Sequence, residues 1–227
     1  MQAGFAPSGG QAVKNALLTI LAILAATAST AACSRAPSAA TPKLRILSWT
    51  GTSRVFPPGG DALELGVSTT VDPFRSAHAD TWLLSQGRSS LRSMILEPDG
   101  GWMERDGRRD PMPELMLKQE RQQFAIYGQM QIAMARAARK LPPSGEILVK
   151  GDGARSVDTK FQFSRAGRLM RAWNIVADSE KRGNMVPQEF RFSGEVRSNG
   201  LRWPQHLELM HGNAPYFTLD IRTFEAK

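Results

Sequence analysis

Glu189-Phe190-Arg191-Phe192-Ser193-Gly194-Glu195-Val196-Arg197-Ser198-Asn199-Gly200-Leu201-Arg202-Trp203-Pro204 is the stretch that decides the fold class. Phe190, Phe192, Gly194 and Val196 alternate with Glu189, Arg191, Ser193, Glu195 and Arg197. Side chains of a strand point to opposite faces in turn, so this period of two places one apolar and one polar face on an extended segment. Asn199-Gly200 then supplies two residues that accept positive φ, the turn chemistry of a tight hairpin. Beyond it Leu201, Trp203, Gln205, Leu207 and Leu209 alternate with Arg202, Pro204, His206 and Glu208. One buried and one wet face marks antiparallel sheet rather than sheet covered on both sides.

The same rhythm extends along most of the chain. Leu65, Val67, Thr69 and Val71 share a face, as do Phe217, Leu219, Ile221 and Thr223. Turn signals fall at Pro57-Pro58-Gly59-Gly60, Asp99-Gly100-Gly101, Asp106-Gly107, Gly151-Asp152-Gly153 and Gly212-Asn213. Strands are expected near 44–56, 62–72, 80–86, 89–97, 101–106, 145–150, 156–164, 168–178, 187–198, 201–210 and 215–225, about eleven in a meander. One segment departs from it. Pro113 to Lys140 is rich in Met, Leu, Ala, Gln and Arg, which favour helix. Phe124, Tyr127, Met130, Met134 and Ala137 recur at spacings of three and four and make one apolar stripe. Pro142-Pro143 stops this helix, and Gly128 is a point where it could bend or divide. The fold class is therefore α+β: an antiparallel sheet with one or two helices.

The N-terminal region carries a different message. Lys14 precedes the apolar run Ala16 to Ala26, and Thr30-Ala31-Ala32 leads to Cys33, the one cysteine of the 227-residue chain. A positive residue, an apolar run and small residues in that order are a secretory signal. A cysteine directly after the small residues looks like the lipobox of bacterial lipoproteins, which makes Cys33 the acylated first residue of the mature protein. The alternatives are an ordinary cleaved signal and an uncleaved anchor. The apolar run is about half the roughly 20 residues that a spanning helix needs. Residues 1–32 are thus expected to be the signal peptide, and 33–42 the lipidated N-terminus with a Pro-containing spacer. Residues 43–227 are left as one domain large enough for a sizeable core. Ser34 stands where an aspartate retains Gram-negative lipoproteins at the inner membrane, which points to the outer membrane, facing the periplasm.

A lone cysteine excludes a disulfide within the chain. The formal charge is +8, with Lys14 the single charged residue of the leader. Nucleic acid and an anionic bilayer both attract such a chain. An exported, tethered address favours the membrane and argues against nucleic acid, and the basic residues are spread rather than clustered.

Motifs for chemistry are sparse. His78, His206 and His211 do not assemble into a metal or nucleophile spacing, and their plain reading is structural or solvated. Glu104, Asp106 and Asp110, interleaved with Arg105, Arg108 and Arg109, read as a solvated loop rather than a catalytic carboxylate pair. Gly151-Asp152-Gly153 lacks the Lys-Ser/Thr continuation of a phosphate loop and reads as a hairpin turn. No catalytic residue, metal ligand or cofactor is expected. The aromatic and Met residues say more. Trp49, Trp82, Trp102, Trp173 and Trp203 all fall in expected strands, and Phe124, Tyr127, Met130 and Met134 lie on the helix. Such rings and thioethers suit either a packed core or the lining of an apolar cavity.

Asp99-Gly100-Gly101-Trp102-Met103-Glu104, just before the helical segment, and the late hairpin Gly194 to Pro204 together resemble the LolA/LolB-like superfamily of bacterial lipoprotein carriers and lipid-binding lipoproteins. The resemblance is one of pattern over about residues 43–227. It implies an incomplete barrel curled around the helices, with an apolar cavity between sheet and helix lined by the nine aromatic and Met residues above. It also implies a non-enzymatic binder of an acyl chain, a lipid or the lipid part of another lipoprotein. The competing expectation is a structural or interaction module of an envelope complex, with a filled core and no ligand.

Overall fold

The computed structural model describes residues 42–57, 59–178 and 183–227. The signal segment, Cys33 and the spacer as far as Thr41 lie outside the described residues. The first half of the domain is a meander of β1 (Leu47–Val55), β2 (Leu63–Asp72), β3 (Ser76–Leu83), β4 (Arg92–Glu97), β5 (Gly100–Arg105) and β6 (Arg108–Pro111). One long helix follows, α1 (Glu114–Arg139). The second half comprises β7 (Glu146–Val149), β8 (Thr159–Phe163), β9 (Leu169–Asp178), β10 (Asn184–Ser193), β11 (Val196–Ser198), β12 (Leu201–Trp203), β13 (His206–His211) and β14 (Ala214–Ala226).

Twelve of these strands form a single antiparallel sheet in the order β6-β5-β4-β3-β2-β1-β14-β13-β10-β9-β8-β7. The two meanders join where the first strand meets the last. Leu47 pairs with Ala226 and Val55 with Phe217. Ile46 and Lys227 exchange both backbone hydrogen bonds beyond the end of that ladder. The sheet is open, an incomplete barrel with β6 and β7 as its edges. The helix leaves from one edge and delivers the chain to the other. At 1.5 Å per residue it is about 39 Å long. Twelve flat strands at about 4.8 Å spacing would set the edges roughly 53 Å apart. Curling brings those edges within the helix's reach and wraps the sheet around it.

That wrapping explains the burial. Residues Ala125 to Ala133 are buried without a break, so the middle of α1 is enclosed on every side rather than amphipathic. Ile126, Met130 and Ala133 meet Leu47, Val71, Phe161, Ala172 and Leu209 in the core. An enclosed helix carries its polar side chains inside, and each must find a partner. Gln129 donates to Val157 O at 2.7 Å and accepts from Thr159 Oγ1 at 2.8 Å. Gln122 Oε1 accepts from the backbone N–H of Ala177 at 3.4 Å. Gly128 does not divide the helix. The ring of Phe74 occupies the space a side chain there would need.

The described strands number fourteen rather than about eleven. The expected run 187–198 breaks at Gly194, whose φ of +65° turns the chain off the sheet. It returns at Gln205, whose N–H donates to Ser193 O. The excursion is the separate two-stranded sheet β11–β12. The strand expected at 80–86 lies earlier, at Ser76–Leu83. No strand was expected at 108–111, where Arg108 to Pro111 is exposed throughout and has no apolar face to signal it.

Candidate functional site

An open cleft of about 560 Å³ lies at the C-terminal end of α1. Four pieces of chain wall it: the arm Pro42 to Arg45, the helix from Gln131 to Ala138, the β8–β9 turn from Ala166 to Met170, and the β11–β12 hairpin with its two stems. Its apolar floor is Met134, Leu169, Phe192, Leu201 and Trp203. The space exists because small residues line the facing walls, Ala135 and Ala138 on the helix and Gly167, Gly194 and Gly200 in the turns.

The hairpin is a fixed wall. Trp203 is buried and stacks on Phe224 at 5.7 Å, and its ring lies 6.3 Å from that of Tyr127. Tyr127 in turn meets Trp49 at 4.9 Å and Phe124 at 5.8 Å. At the turn, Asn199 Nδ2 donates to Ala226 O at 2.7 Å, and Ser198 Oγ accepts from Ala226 N at 3.0 Å. The Arg45 guanidinium donates to Asn199 O, which ties the hairpin to the N-terminal arm.

The nine expected lining residues divide into four groups. Met134 and Trp203 line the cleft. Trp49, Tyr127 and Met130 are buried in the packed interior behind it. Phe124 borders a separate pocket of about 30 Å³, room for about one water, beside Phe74 and Arg121. Trp82, Trp102 and Trp173 stand on the other face of the sheet, away from helix and cleft, a correction to their expected place. Strand parity is the reason, since the buried neighbours Gly101, Ala172 and Asn174 take the inner positions. Each outer indole carries a cation instead: Arg88 over Trp82 at 4.5 Å, Arg109 over Trp102 at 4.3 Å and Lys160 over Trp173 at 5.7 Å. The side chains at the middle of the helix are buried in the core, and the open cleft lies at the helix's C-terminal end.

Groups capable of proton chemistry are dispersed. His78 pairs with Asp80 at 3.0 Å on the outer face. His206 lies between Asp220 at 2.8 Å and Glu208 at 3.4 Å. Partial burial pulls its pKa down, but the hydrogen bonds to these two carboxylates outweigh that and raise it. His211 stacks on Tyr216 at 3.8 Å and meets Gln188. The carboxylate of Asp152 accepts backbone N–H groups of Ala154, Arg155 and Ser156, which hold its pKa low against burial. That makes 151–153 a side-chain-stapled turn. Glu104, Asp106 and Asp110 each pair with an arginine at the β5–β6 edge. Among the described residues no group of three or more His, Cys, Asp or Glu is placed to hold a metal ion. No described helix is long and apolar enough to cross a membrane.

One ionisable group was not singled out from the sequence. Glu120 lies two turns before Tyr127 on the same helix face. Burial pushes its pKa up to about 7, and its charge adds to the burial that raises Tyr127. One of two glutamates in a Gln- and Arg-rich helix, it gives no periodic signal to distinguish it.

Fold and cleft together define an open antiparallel half-barrel wound on one buried helix, with an apolar recess at one end. Among solved structures, it is similar to a LolA superfamily protein from Nitrosomonas europaea, with 11% identity, 81% of this chain and 86% of that one covered, and a TM-score of 0.48. It is similar also to an outer membrane lipoprotein-sorting protein domain from Vibrio parahaemolyticus (8% identity, 80% and 85% covered, TM-score 0.45). A third is a DUF1329 family protein from Desulfovibrio piger (11% identity, 82% and 87% covered, TM-score 0.47). No protein-family model and no curated protein matches the chain.

Proposed function

We propose that this is an exported, lipid-anchored envelope protein that binds an apolar ligand in the cleft and catalyses no reaction. The observation that supports it is the recess itself. A volume of about 560 Å³ falls in the range of small-molecule sites, roughly 300–1,000 Å³. Its floor of Met134, Leu169, Leu201 and Trp203 offers apolar contact without a matching set of fixed polar groups. An acyl chain entering it gains about 25 cal/mol for each Å² removed from water. Met134 can reshape around flexible chains.

The tether fits this use. Acylation of Cys33 would hold the chain at the outer membrane, facing the periplasm. Cys33 precedes Pro42 by nine residues, which reach at most about 30 Å when extended. Pro42 borders the cleft. With Cys33 acylated, this length of chain would limit how far the recess could stand from the lipid surface. The middle of the helix is enclosed and held by Gln122, Gln129 and Gln131. Entry is through the open mouth.

The test is uptake of a fluorescent fatty acid by the purified, delipidated protein, with mass spectrometry of lipids that co-purify. Ala138→Trp fills the cleft from an exposed helix position, and loss of uptake is expected. Uptake unchanged in that variant, or none by the parent protein, overturns the reading. The tether has its own test, the mass of the mature N-terminus after export. A second reading has its own support: the buried core around Ile126, Met130 and Ala133 suits a structural module of an envelope complex. A protein that takes up no lipid yet recovers one defined partner from envelope extracts would favour it.

A further inference from the structure

The mouth of the cleft is basic in a way that its floor does not require. Lys43, Arg45, Arg168 and Arg202 border it, against one carboxylate, Glu195. That carboxylate is already occupied. Arg202 donates to its Oε2 through Nε at 2.8 Å and through Nη2 at 2.5 Å, and Arg197 donates to its Oε1 at 2.7 Å. Those bonds favour the ionised form and lower the pKa of Glu195 from its ordinary value. Lys43, Arg45 and Arg168 have no carboxylate partner among the described residues. Three cations thus converge on an apolar recess from two separate pieces of chain, the N-terminal arm and the β8–β9 turn.

We propose that the cleft takes an anionic amphiphile, a single acyl chain ending in a carboxylate or phosphate, with the head group between Lys43, Arg45 and Arg168 and the tail along Met134, Leu169 and Trp203. This rests on the apolar-ligand reading above and adds a sign to the head group. Charge complementarity carries it. A neutral or cationic head would leave the three like charges bordering the mouth without a counter-charge, whereas an anion offsets them. The last carbonyls of α1 point the opposite way electrically and amount to about half a negative charge. Arg136 and Arg139 in the last turn, with Lys140 behind them, offset that. Arginine forks on the head group would add oriented hydrogen bonds to the attraction.

The experiment compares ligands of one chain length: laurate, dodecyl phosphate, dodecanol and dodecyltrimethylammonium, with inorganic phosphate as the headless control. Affinity is read by displacement of a fluorescent fatty acid from the delipidated protein at low salt. Both anions are expected to bind at least ten-fold tighter than dodecanol, with the ammonium weakest. Raising salt should narrow the gap, because exposed charges are screened. Lys43→Glu with Arg168→Glu should collapse the ratio of laurate to dodecanol affinity, while Arg222→Glu on the outer face should preserve it. Equal binding of laurate and dodecanol overturns the head-group proposal and leaves the apolar reading standing. Binding of inorganic phosphate as tightly as dodecyl phosphate overturns the amphiphile and leaves an anion site only. Binding of none of the ligands overturns both readings together.

Discussion

The side-chain amide of Gln131 stands in for a neighbouring strand beside Arg45. Its Oε1 accepts from Arg45 N and its Nε2 donates to Arg45 O, each at 2.9 Å. Gln131 is buried in the enclosed part of the helix, and Arg45 is two residues before β1. This one amide therefore fixes the arm that borders the cleft to the element at the centre of the fold.

Removing that amide should loosen the arm before it loosens the sheet. Gln131→Ala deletes two hydrogen bonds and leaves both backbone groups of Arg45 to water. At about 1 kcal/mol net per bond, the expected loss is about 1–3 kcal/mol in urea unfolding. Faster amide exchange should be confined to residues 44–46, while β2 and β9 keep their protection. Uniform acceleration across the sheet would show that the pair is an ordinary core contact.

The hairpins were legible in the sequence because turn chemistry is local. Asn199-Gly200 and Asp106-Gly107 are turns where expected, the Asp99-Gly100 signal falls one residue late because Pro98-Asp99 make the turn, and the helix expected over Pro113 to Lys140 runs from Glu114 to Arg139. What could not be read were relations between distant segments. Nothing in β1 or β14 announces that they pair. Alternation shows that a strand has two faces but not which is inside. In β3 the inner positions are held by Ala77 and Ala79, which leave room for the helix, while the larger Trp82 lies outside over Gly66. The size signal therefore pointed the wrong way. The cleft was illegible for a related reason, since it arises from missing side-chain volume at Ala135, Ala138, Gly167, Gly194 and Gly200 on separate elements.

Gly128 should resist even the smallest substitution. A Cβ there would fall 2.5 Å from Phe74 Cε2 and 3.0 Å from Pro73 Cβ. Alanine is favoured over glycine in a helix interior by about 1 kcal/mol. Overpacking a core costs typically 1–3 kcal/mol, and here the obstructing ring belongs to Phe74, whose own φ is +63°. The net effect of Gly128→Ala should be a loss of about 1–2 kcal/mol in equilibrium unfolding. Phe74→Leu should be less harmful in the Gly128→Ala background than alone. Additive effects of the two changes would mean that the helix and the Pro73-Phe74 turn do not press on each other.

The tryptophans divide by face, and their substitutions should divide likewise. Trp203→Ala removes a buried ring from the stack with Phe224 and should cost about 3–5 kcal/mol. Trp203→Phe, which preserves the fold better, should weaken fatty-acid uptake. Trp173→Phe and Trp82→Phe act on the outer face and should each cost less than about 1 kcal/mol, with uptake unaltered. Ligand-induced change in tryptophan fluorescence should vanish in Trp203→Phe and persist in the outer variants. Loss of the signal on substituting Trp173 instead would place the ligand on the opposite face.

Glu120 makes a prediction about pH whose sign is fixed. Burial raises its pKa from the ordinary 4.5 to about 7, so between those values the folded state holds a proton that the unfolded chain has released. Stability from this group is complete below pH 4.5 and is lost as pH rises toward 7. The full shift corresponds to about 3 kcal/mol. Part of the residue reaches water, so about 1–2 kcal/mol is the realistic range. His206, with its pKa raised by Asp220 and Glu208, tilts the whole protein the same way above pH 6.5. The difference between parent and variant isolates Glu120. Glu120→Gln keeps the shape and cannot ionise. Its stability relative to the parent, from urea unfolding at pH 4.5, 6 and 8, should rise by about 1–2 kcal/mol across the series and level off above pH 7. A constant difference at all three values would mean that this carboxylate stays hydrated in the folded state, and that the space around Tyr127 is wetter than its rings suggest.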